Sequence, residues 1–308
     1  MLVGGCGSSS STDVDPLSEL TFFVTSDAHF MDATCPNPAR AAIQAMNTKV
    51  IGQPNPAEGG APFQTPIFAL ALGDVANGGS GSVPATDEPN PNHTANYTDQ
   101  WNGFDKYFPL NGVPGDINKL AVPNYATGGN HDVYRRGSPG VGNSLYVANK
   151  IAQRYGAALT QDQGNVYYSF NVNGVHVAVL GRWPDETVCA WLAQDLAAIG
   201  PDVPVVLGLH YSFDDGEKWY TDAQRQKLAD VIAGYRIVAI CHGHVHVPQI
   251  YKWMGYDVFD DGSVGKLGYF GVMHITPTSL SYAQYLATWD ADGNWTGGSW
   301  TDTFSKDL

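Results

Sequence analysis

The stretch "AICHGHVHV", from Ala239 to Val247, is an apolar run that ends in three histidines within five residues. Such a pattern fits a metal site, a group of general bases or a local enrichment without function, and the nine residues alone do not separate these readings. The decision depends on the residues that other segments bring to the end of the same strand.

Four other apolar runs also end abruptly in polar residues, and helix-like segments alternate with them, which is typical of an α/β protein. In open α/β sheets, ligands bind beyond the carboxyl ends of the strands, so we expect the polar tips to converge if the strands are parallel neighbours. The runs are "LTFFVTS" before Asp27-Ala28-His29, "PIFALAL" before Gly73-Asp74, "LAVPNYATG" before Asn130-His131-Asp132, and "VPVVLGL" before His210.

Two pairs of polar residues are spaced two apart, Asp27 with His29 and His244 with His246. On an extended backbone, residues two apart point to the same side, whereas on a helix they diverge. The spacing therefore favours side chains that act together at a strand end.

The polar tips combine imidazole nitrogens with carboxylate and amide oxygens, and this set is too large for one tetrahedral ion. It suits two divalent ions about 3.5–4 Å apart that share a bridging carboxylate, an arrangement that promotes hydrolysis. The candidate ligands are Asp27, His29, Asp74, Asn130, His210, His244 and His246.

The motifs D-x-H, G-D, G-N-H-D, a lone H and G-H-x-H, in this order, resemble the five-part signature of the calcineurin-like metallophosphoesterases. The resemblance spans about Leu20 to Trp289. It implies an α/β sandwich of two mixed β-sheets packed face to face and flanked by helices. It also implies an enzyme with two divalent metal ions, such as manganese, iron or zinc.

The resemblance assigns a role to each residue. A hydroxide that bridges the two metals would attack phosphorus, His131 would protonate the leaving alkoxide as general acid, and Asn130 would steady the phosphate. The first metal would take Asp27, His29 and His246, the second would take Asn130, His210 and His244, and Asp74 would bridge them.

The sequence "GDVANGG" departs from two branches of the family. The protein-phosphatase branch has an Asp and an Arg where this chain has Asn77 and Gly78, so phosphoprotein hydrolysis is disfavoured. Asp132 or a backbone group would then support His131. Purple acid phosphatases carry a metal-binding Tyr at the equivalent of Asn77, so we do not expect a charge-transfer ferric site.

The expected substrate is a small-molecule phosphate ester, and the sequence leaves a monoester and a bulky organic or lipid-type diester both open. A non-catalytic lipoprotein that binds metal or phosphate is the alternative of another class. Several residues have two readings. The aromatic residues could form a rim over the substrate or belong to the core; they are Tyr211, Trp219, Tyr220 and Trp253. Arg135 and Arg136 could contact the phosphate or lie in a solvated loop. His242 could support a neighbouring ligand or simply pack in the core.

The formal net charge is −14 with only 16 Lys and Arg residues, so no nucleic-acid-binding surface is expected.

We expect a flexible tether over residues 1–17 and one catalytic domain over residues 18–308. The segment Val3-Gly4-Gly5-Cys6 resembles the end of a bacterial lipobox, although the segments that normally precede one are missing from the printed sequence. This predicts an exported protein, periplasmic or on the cell surface, attached to the membrane by lipid on Cys6.

Three further cysteines, Cys35, Cys189 and Cys241, are an odd number. One disulfide with one free thiol is compatible with an oxidising compartment, and the sequence does not fix the pairing. Cys241 lies in an apolar run and is expected to be a buried thiol.

Overall fold

The structure is a computed structural model that describes residues 15–77, 97–132, 145–160, 164–213 and 220–308. The lipobox-like segment, Arg135, Arg136 and Trp219 lie outside the described residues. Within these ranges the strands are β1 (Leu20–Thr25), β2 (Ala69–Leu72), β3 (Asn124–Thr127), β4 (Ala158–Leu159), β5 (Val166–Val172), β6 (Val175–Val179), β7 (Val205–Gly208), β8 (Ile237–His242), β9 (Gln249–Trp253), β10 (Tyr256–Asp260), β11 (Tyr269–Ile275), β12 (Ser279–Trp289) and β13 (Trp295–Asp307).

The helices in the described part are α1 (Asn37–Thr48), α2 (Tyr97–Tyr107), α3 (Tyr146–Tyr155), α4 (Glu186–Ile199) and α5 (Asp222–Ile232), with a short 3-10 helix at Pro56–Glu58. The α-helices lie between strands along the chain, which agrees with the alternation of apolar runs and helix-like segments in the sequence. Helix α5 begins with a capping box, in which the Thr221 side chain accepts from the Gln224 amide and the Gln224 side chain accepts from the Thr221 amide.

The first sheet has six strands in the order β13-β12-β11-β1-β2-β3. Strands β1, β2 and β3 are parallel neighbours, and β11, β12 and β13 continue the sheet as antiparallel strands. The second sheet has seven strands in the order β4-β5-β6-β7-β8-β10-β9, with β6, β7, β8 and β10 parallel. Both sheets are mixed, as predicted.

Successive side chains of a strand point to opposite faces of its sheet, so one strand contributes to the core between the sheets and to the layer under the helices. In β1, Leu20, Phe22 and Val24 enter the core between the sheets together with residues of β6 and β7, while Phe23 packs with the helices on the opposite face. A strand buried on both faces reads as a continuous apolar run, because successive side chains serve different layers.

Helices cover the two outer faces. Buried residues of α1, α2 and α3 pack on the first sheet, and those of α4 and α5 pack on the second. The structure thus confirms the predicted fold class, two mixed β-sheets face to face with flanking helices.

The strands β5 and β6 form a hairpin whose turn is Asn173-Gly174, a dipeptide typical of two-residue hairpin turns. These two residues have φ angles of 49° and 80°, as a two-residue hairpin turn of the primed type requires. The C-terminal strands β11, β12 and β13 pair as an antiparallel meander.

The cysteines Cys35, Cys189 and Cys241 are all buried and free. The disulfide that the sequence left open is therefore absent among the described residues, and the prediction of a buried thiol at Cys241 is confirmed. No helix in the described ranges has the length and apolar character needed to cross a membrane.

Candidate metal centre

The loops that follow five strands carry all of the predicted site residues. Asp27 and His29 follow β1, and Asp74 follows β2. Asn130 and His131 follow β3, while His210 follows β7 and the pair His244 and His246 follows β8. The tips converge, but they belong to two sheets. The expectation of parallel neighbours is right for β1, β2 and β3 and for β7 and β8, and wrong for the set as a whole, because the sandwich places both groups of strand ends at one edge.

The backbone at the site is strained. Seven described non-glycine residues have positive φ, and five of them are candidate ligands, Asp27, His29, Asp74, His244 and His246. The extended backbone on which the spacing argument depends is therefore wrong for both pairs. Strained φ angles persist where the surroundings enforce them, and they cluster at functional sites.

The first group of side chains consists of Asp27, His29 and His246. Asp27 Oδ1 lies 3.0 Å from His246 Nε2 and 3.6 Å from His29 Nε2. The two imidazole Nε2 atoms are 3.0 Å apart. One atom from each residue falls in a set whose members lie within 4.8 Å of one another, so the group could hold a metal ion.

The second group consists of Asp74, His210 and His244, which form another set of this kind, with Asn130 beside it. His210 Nε2 lies 3.0 Å from Asn130 Oδ1 and 3.3 Å from Asp74 Oδ2. The other ring nitrogen, His210 Nδ1, lies 2.8 Å from the Leu72 carbonyl oxygen. Because a carbonyl only accepts, Nδ1 carries a proton, and the lone pair of the neutral ring is on Nε2.

Asp74 connects the two groups. Its Oδ2 atom lies 3.3 Å from His210 Nε2 and 3.8 Å from both His29 Nε2 and His131 Nε2. Its Oδ1 accepts a 2.8 Å hydrogen bond from the His131 amide. One buried carboxylate therefore faces imidazoles from three separate loops.

The electrostatics favour a cation at this place. Burial alone raises the pKa of Asp27, but hydrogen bonds from His246 and His29 outweigh it and hold that pKa well below its usual value. Burial lowers the pKa of His210, yet the charge and hydrogen bond of Asp74 raise it to about 9. By contrast, burial and the charge of His210 lower the pKa of His244 to about 3, so that ring is neutral, the form that binds metals.

The donor set fits divalent metal ions. The Nε2 atom of His210 faces the oxygens of Asn130 and Asp74, and His29 and His246 approach each other through their Nε2 atoms. Because the pKa of His210 is raised to about 9, its Nε2 carries a proton when no metal ion is bound. A metal ion bound among these atoms would take the place of the His210 proton and bind to the lone pairs of the neutral imidazoles. Mixed imidazole and oxygen donors suit transition metals such as manganese, iron and zinc.

His131 is held by the backbone. Its Nδ1 lies 3.3 Å from the Asn77 carbonyl oxygen, and its ring meets that of His29 edge to face. Of the two supports considered from the sequence, the backbone group is the one observed. Asp132 instead accepts from the amides of Val75, Ala76 and Gly129, which fixes the loops around Asp74. Burial and the charge of Asp74 raise the pKa of Asp132 to about 7.

The aromatic residues that the structure describes belong to the core and do not form a rim over the substrate. Tyr211, Tyr220 and Trp253 are 3%, 2% and 8% exposed and belong to the core between the second sheet and its helices. The Tyr211 ring contacts the His244 ring edge to face. His242 is buried, with Nε2 bonded to the Tyr251 hydroxyl and Nδ1 near the Gly243 carbonyl, so it supports the loop before His244.

Sequence reasoning missed the segment after β10. Ser263 Oγ donates to the Asp27 carbonyl, and the amide of Gly265 donates to the same oxygen. Lys266 follows directly. No motif marks this segment, because its place beside Asp27 depends on how the chain crosses between the two sheets.

The calcineurin-like phosphoesterase family matches residues 20–248 of this chain. The chain belongs to this family. Two of the most similar curated proteins are purple acid phosphatase 23 of Arabidopsis thaliana, 27% identical over 136 residues, and purple acid phosphatase 22 of the same plant, 30% identical over 97 residues. These matches cover 41% and 29% of this chain but only 28% and 22% of the plant proteins. These relatives come from a plant and give no support for a bacterial origin, and the export of this chain stays a prediction.

Solved structures share the fold. A dimetal phosphatase from Danio rerio superposes with a TM-score of 0.53 at 10% identity, covering 94% of this chain and 99% of that one. GAP50, an anchor in the inner membrane complex of Plasmodium, superposes with a TM-score of 0.54 at 10% identity, covering 94% and 89%. At this identity the likeness concerns the fold alone.

Replacement of Asp74 by Ala is expected to remove most of one or both metal ions, because the connecting carboxylate faces both groups. Elemental analysis of the metal-loaded protein measures the loss. Asp222→Ala is the control, since the Asp222 side chain is 86% exposed on α5. Full metal occupancy in Asp74→Ala would contradict the bridging assignment.

Two adjacent glycines allow a sharper test. A Cβ on Gly129 would overlap the Asp74 carboxylate and amide, whereas a Cβ on Gly128 meets no atom nearer than 3.9 Å. Gly129→Ala is therefore expected to displace Asp74 and weaken metal affinity about 10–100-fold, as loss of ligand support does. Gly128→Ala should bind metal as the wild type does. Calorimetric metal titration compares them, and equal affinities would show that the close approach has no role.

Proposed function

We propose that the chain is a hydrolase that cleaves small-molecule phosphate esters with two divalent metal ions. The single observation that carries the proposal is the arrangement around Asp74 Oδ2, which lies between two groups of metal-type donors. Family membership supports the same activity, and the purple acid phosphatases among the relatives are phosphatases by name.

The proposed ligands divide as the resemblance implies. When bound, two divalent ions supply a water of lowered pKa as nucleophile and positive charge for the phosphoryl oxygens. Asp27 is buried and held in place by the His244 amide, which donates to its Oδ2 at 2.8 Å. The proposed sets are Asp27, His29 and His246 for one ion, Asn130, His210 and His244 for the other, and Asp74 for both.

His131 is the proposed general acid. It follows directly after Asn130, and its side chain is 15% exposed, so Nε2 is accessible from the centre while the carbonyl of Asn77 fixes the ring through Nδ1. In this position the imidazole can pass a proton to the leaving alkoxide. The amide of Asn130 would hold the phosphate group in reach.

The chain offers a competing role for His131, since His29, Asp74 and His131 form a third set with metal-ligand geometry. A non-catalytic protein that binds metal or phosphate is the alternative of another class. It would need the ligands and no acid beside them, so a catalytic His131 would distinguish the two.

The remaining proposals rest on the sequence alone. The segment Val3-Gly4-Gly5-Cys6 supports export and attachment to a membrane through lipid on Cys6. The net charge of −14 argues against a nucleic-acid partner. A small anionic substrate is compatible with it, because bound metal ions would make the site positive. Asn77 stands where purple acid phosphatases carry a metal-binding tyrosine, which supports a centre without a charge-transfer ferric ion.

His131→Ala is expected to lower kcat by about 10²–10⁴ with the metal content unchanged. The loss should be larger with an alkyl phosphate than with p-nitrophenyl phosphate, because p-nitrophenolate leaves without a proton. Steady-state kinetics and elemental analysis provide both measurements. His176→Ala is a control, since His176 bonds to Asn171 and Asp195 away from the centre. Loss of metal from His131→Ala would make it a ligand instead.

The activity itself is tested with p-nitrophenyl phosphate and its bis ester, each with and without chelator. We expect turnover that stops when chelator removes the metals and returns when manganese, iron or zinc is added back. A metal-loaded protein that hydrolyses neither ester would favour the non-catalytic alternative.

A further inference from the structure

The turn formed by residues 261–268 lies against the loop that carries Asp27. The Val264 amide donates to the Ser26 carbonyl at 3.0 Å, and the Gly265 amide donates to the Asp27 carbonyl at 3.1 Å. A Cβ on Gly265 would overlap the Ala28 carbonyl, so the two backbones are in direct contact. The position of this turn relative to the first group of ligands is therefore fixed.

Lys266 projects from this turn. Its amide donates to Ser263 Oγ at 3.1 Å, and the same hydroxyl donates to the Asp27 carbonyl at 2.8 Å. Lys266 is an exposed residue, and the ion pairs found for lysines of the described ranges involve Lys119, Lys252 and Lys306 instead. The backbone of Lys266 is therefore fixed close to Asp27, and its ammonium group forms no ion pair with a carboxylate of the described residues.

The ammonium group of Lys266 is electrostatically coupled to the centre. Partial burial lowers the pKa of Lys266, and the carboxylates of Asp27 and Asp74 offset part of that effect. Burial lowers the pKa of His131 most, the charge of His29 lowers it further, and the charge of Lys266 makes a smaller contribution in the same direction. Lys266 therefore interacts with residues of both proposed metal groups and with the proposed acid.

We propose that Lys266 binds a non-bridging oxygen of the substrate phosphate and makes the enzyme prefer phosphomonoesters to phosphodiesters. This rests on the proposed phosphoesterase function. A monoester carries nearly two negative charges at neutral pH and three terminal oxygens, whereas a diester carries one charge and two such oxygens. An additional cation beside two metal ions therefore increases the affinity for the monoester more than for the diester. The ammonium group can donate a charge-assisted hydrogen bond to the third terminal oxygen of the monoester, which a diester lacks.

The experiment compares Lys266→Gln, Lys266→Arg and a control, Lys227→Gln, with the wild type. Lys227 is exposed on α5, which covers the outer face of the second sheet. We expect Lys266→Gln to lower kcat/KM for p-nitrophenyl phosphate by about tenfold or more, the value of one charged hydrogen bond. The bis ester should change less than about threefold, and Lys266→Arg should keep most of the activity on the monoester.

Binding of inorganic phosphate to the metal-loaded protein, followed by calorimetry, gives a readout that does not need turnover. Lys266→Gln should weaken this binding by about tenfold with an unchanged metal content, and Lys227→Gln should leave it unchanged. Equal losses on both esters, unchanged phosphate affinity, or loss of metal from Lys266→Gln would each overturn the role of Lys266. Absence of turnover in the wild type would instead refute the phosphoesterase function, and phosphate binding would still decide the role of Lys266.

Discussion

The buried carboxylate of Asp74 is the constraint on which the site depends. A carboxylate removed from water is costly unless positive charge or hydrogen bonds compensate it. Here the compensation comes from the His131 amide on Oδ1 and from three imidazoles around Oδ2. Those imidazoles arrive on loops after β1, β3 and β7, so the packing of one sheet on the other is what completes the environment of a single oxygen.

Much of this could be predicted from the sequence. Five apolar runs that end in polar residues indicate the strands, and the donor types indicate a metal centre, because few other sites combine imidazoles and carboxylates at strand ends. The division of those strands between two sheets could not be read from the runs themselves. Both β2 and β7 are short apolar segments buried on two faces, so their patterns are alike. Only the resemblance to the calcineurin-like metallophosphoesterases predicted that the strands form two sheets.

Other features depend on long-range contacts that leave no local signal. The spacing of Asp27 and His29 suggests extended backbone, yet both have positive φ, because bonds from their amides to the carbonyls of Gly73 and Asp74 bind the loop to the end of β2. The support of His131 by the Asn77 carbonyl is equally invisible, since a backbone acceptor has no residue type. Lys266 lies 20 or more residues from any ligand motif, and only the turn after β10 brings it near Asp27.

The net charge of −14 poses a question for an enzyme of anionic substrates. At physiological ionic strength the field of distant surface charges falls off over about 8 Å, so the local charges decide whether phosphate binds. Without metal, the ionised carboxylates of Asp27 and Asp74 offset the positive charges of His210 and Lys266, so the centre has no excess of positive charge to bind a phosphate group. Two divalent ions make the pocket positive. Metal binding and phosphate binding are therefore thermodynamically coupled, and each should increase the affinity for the other.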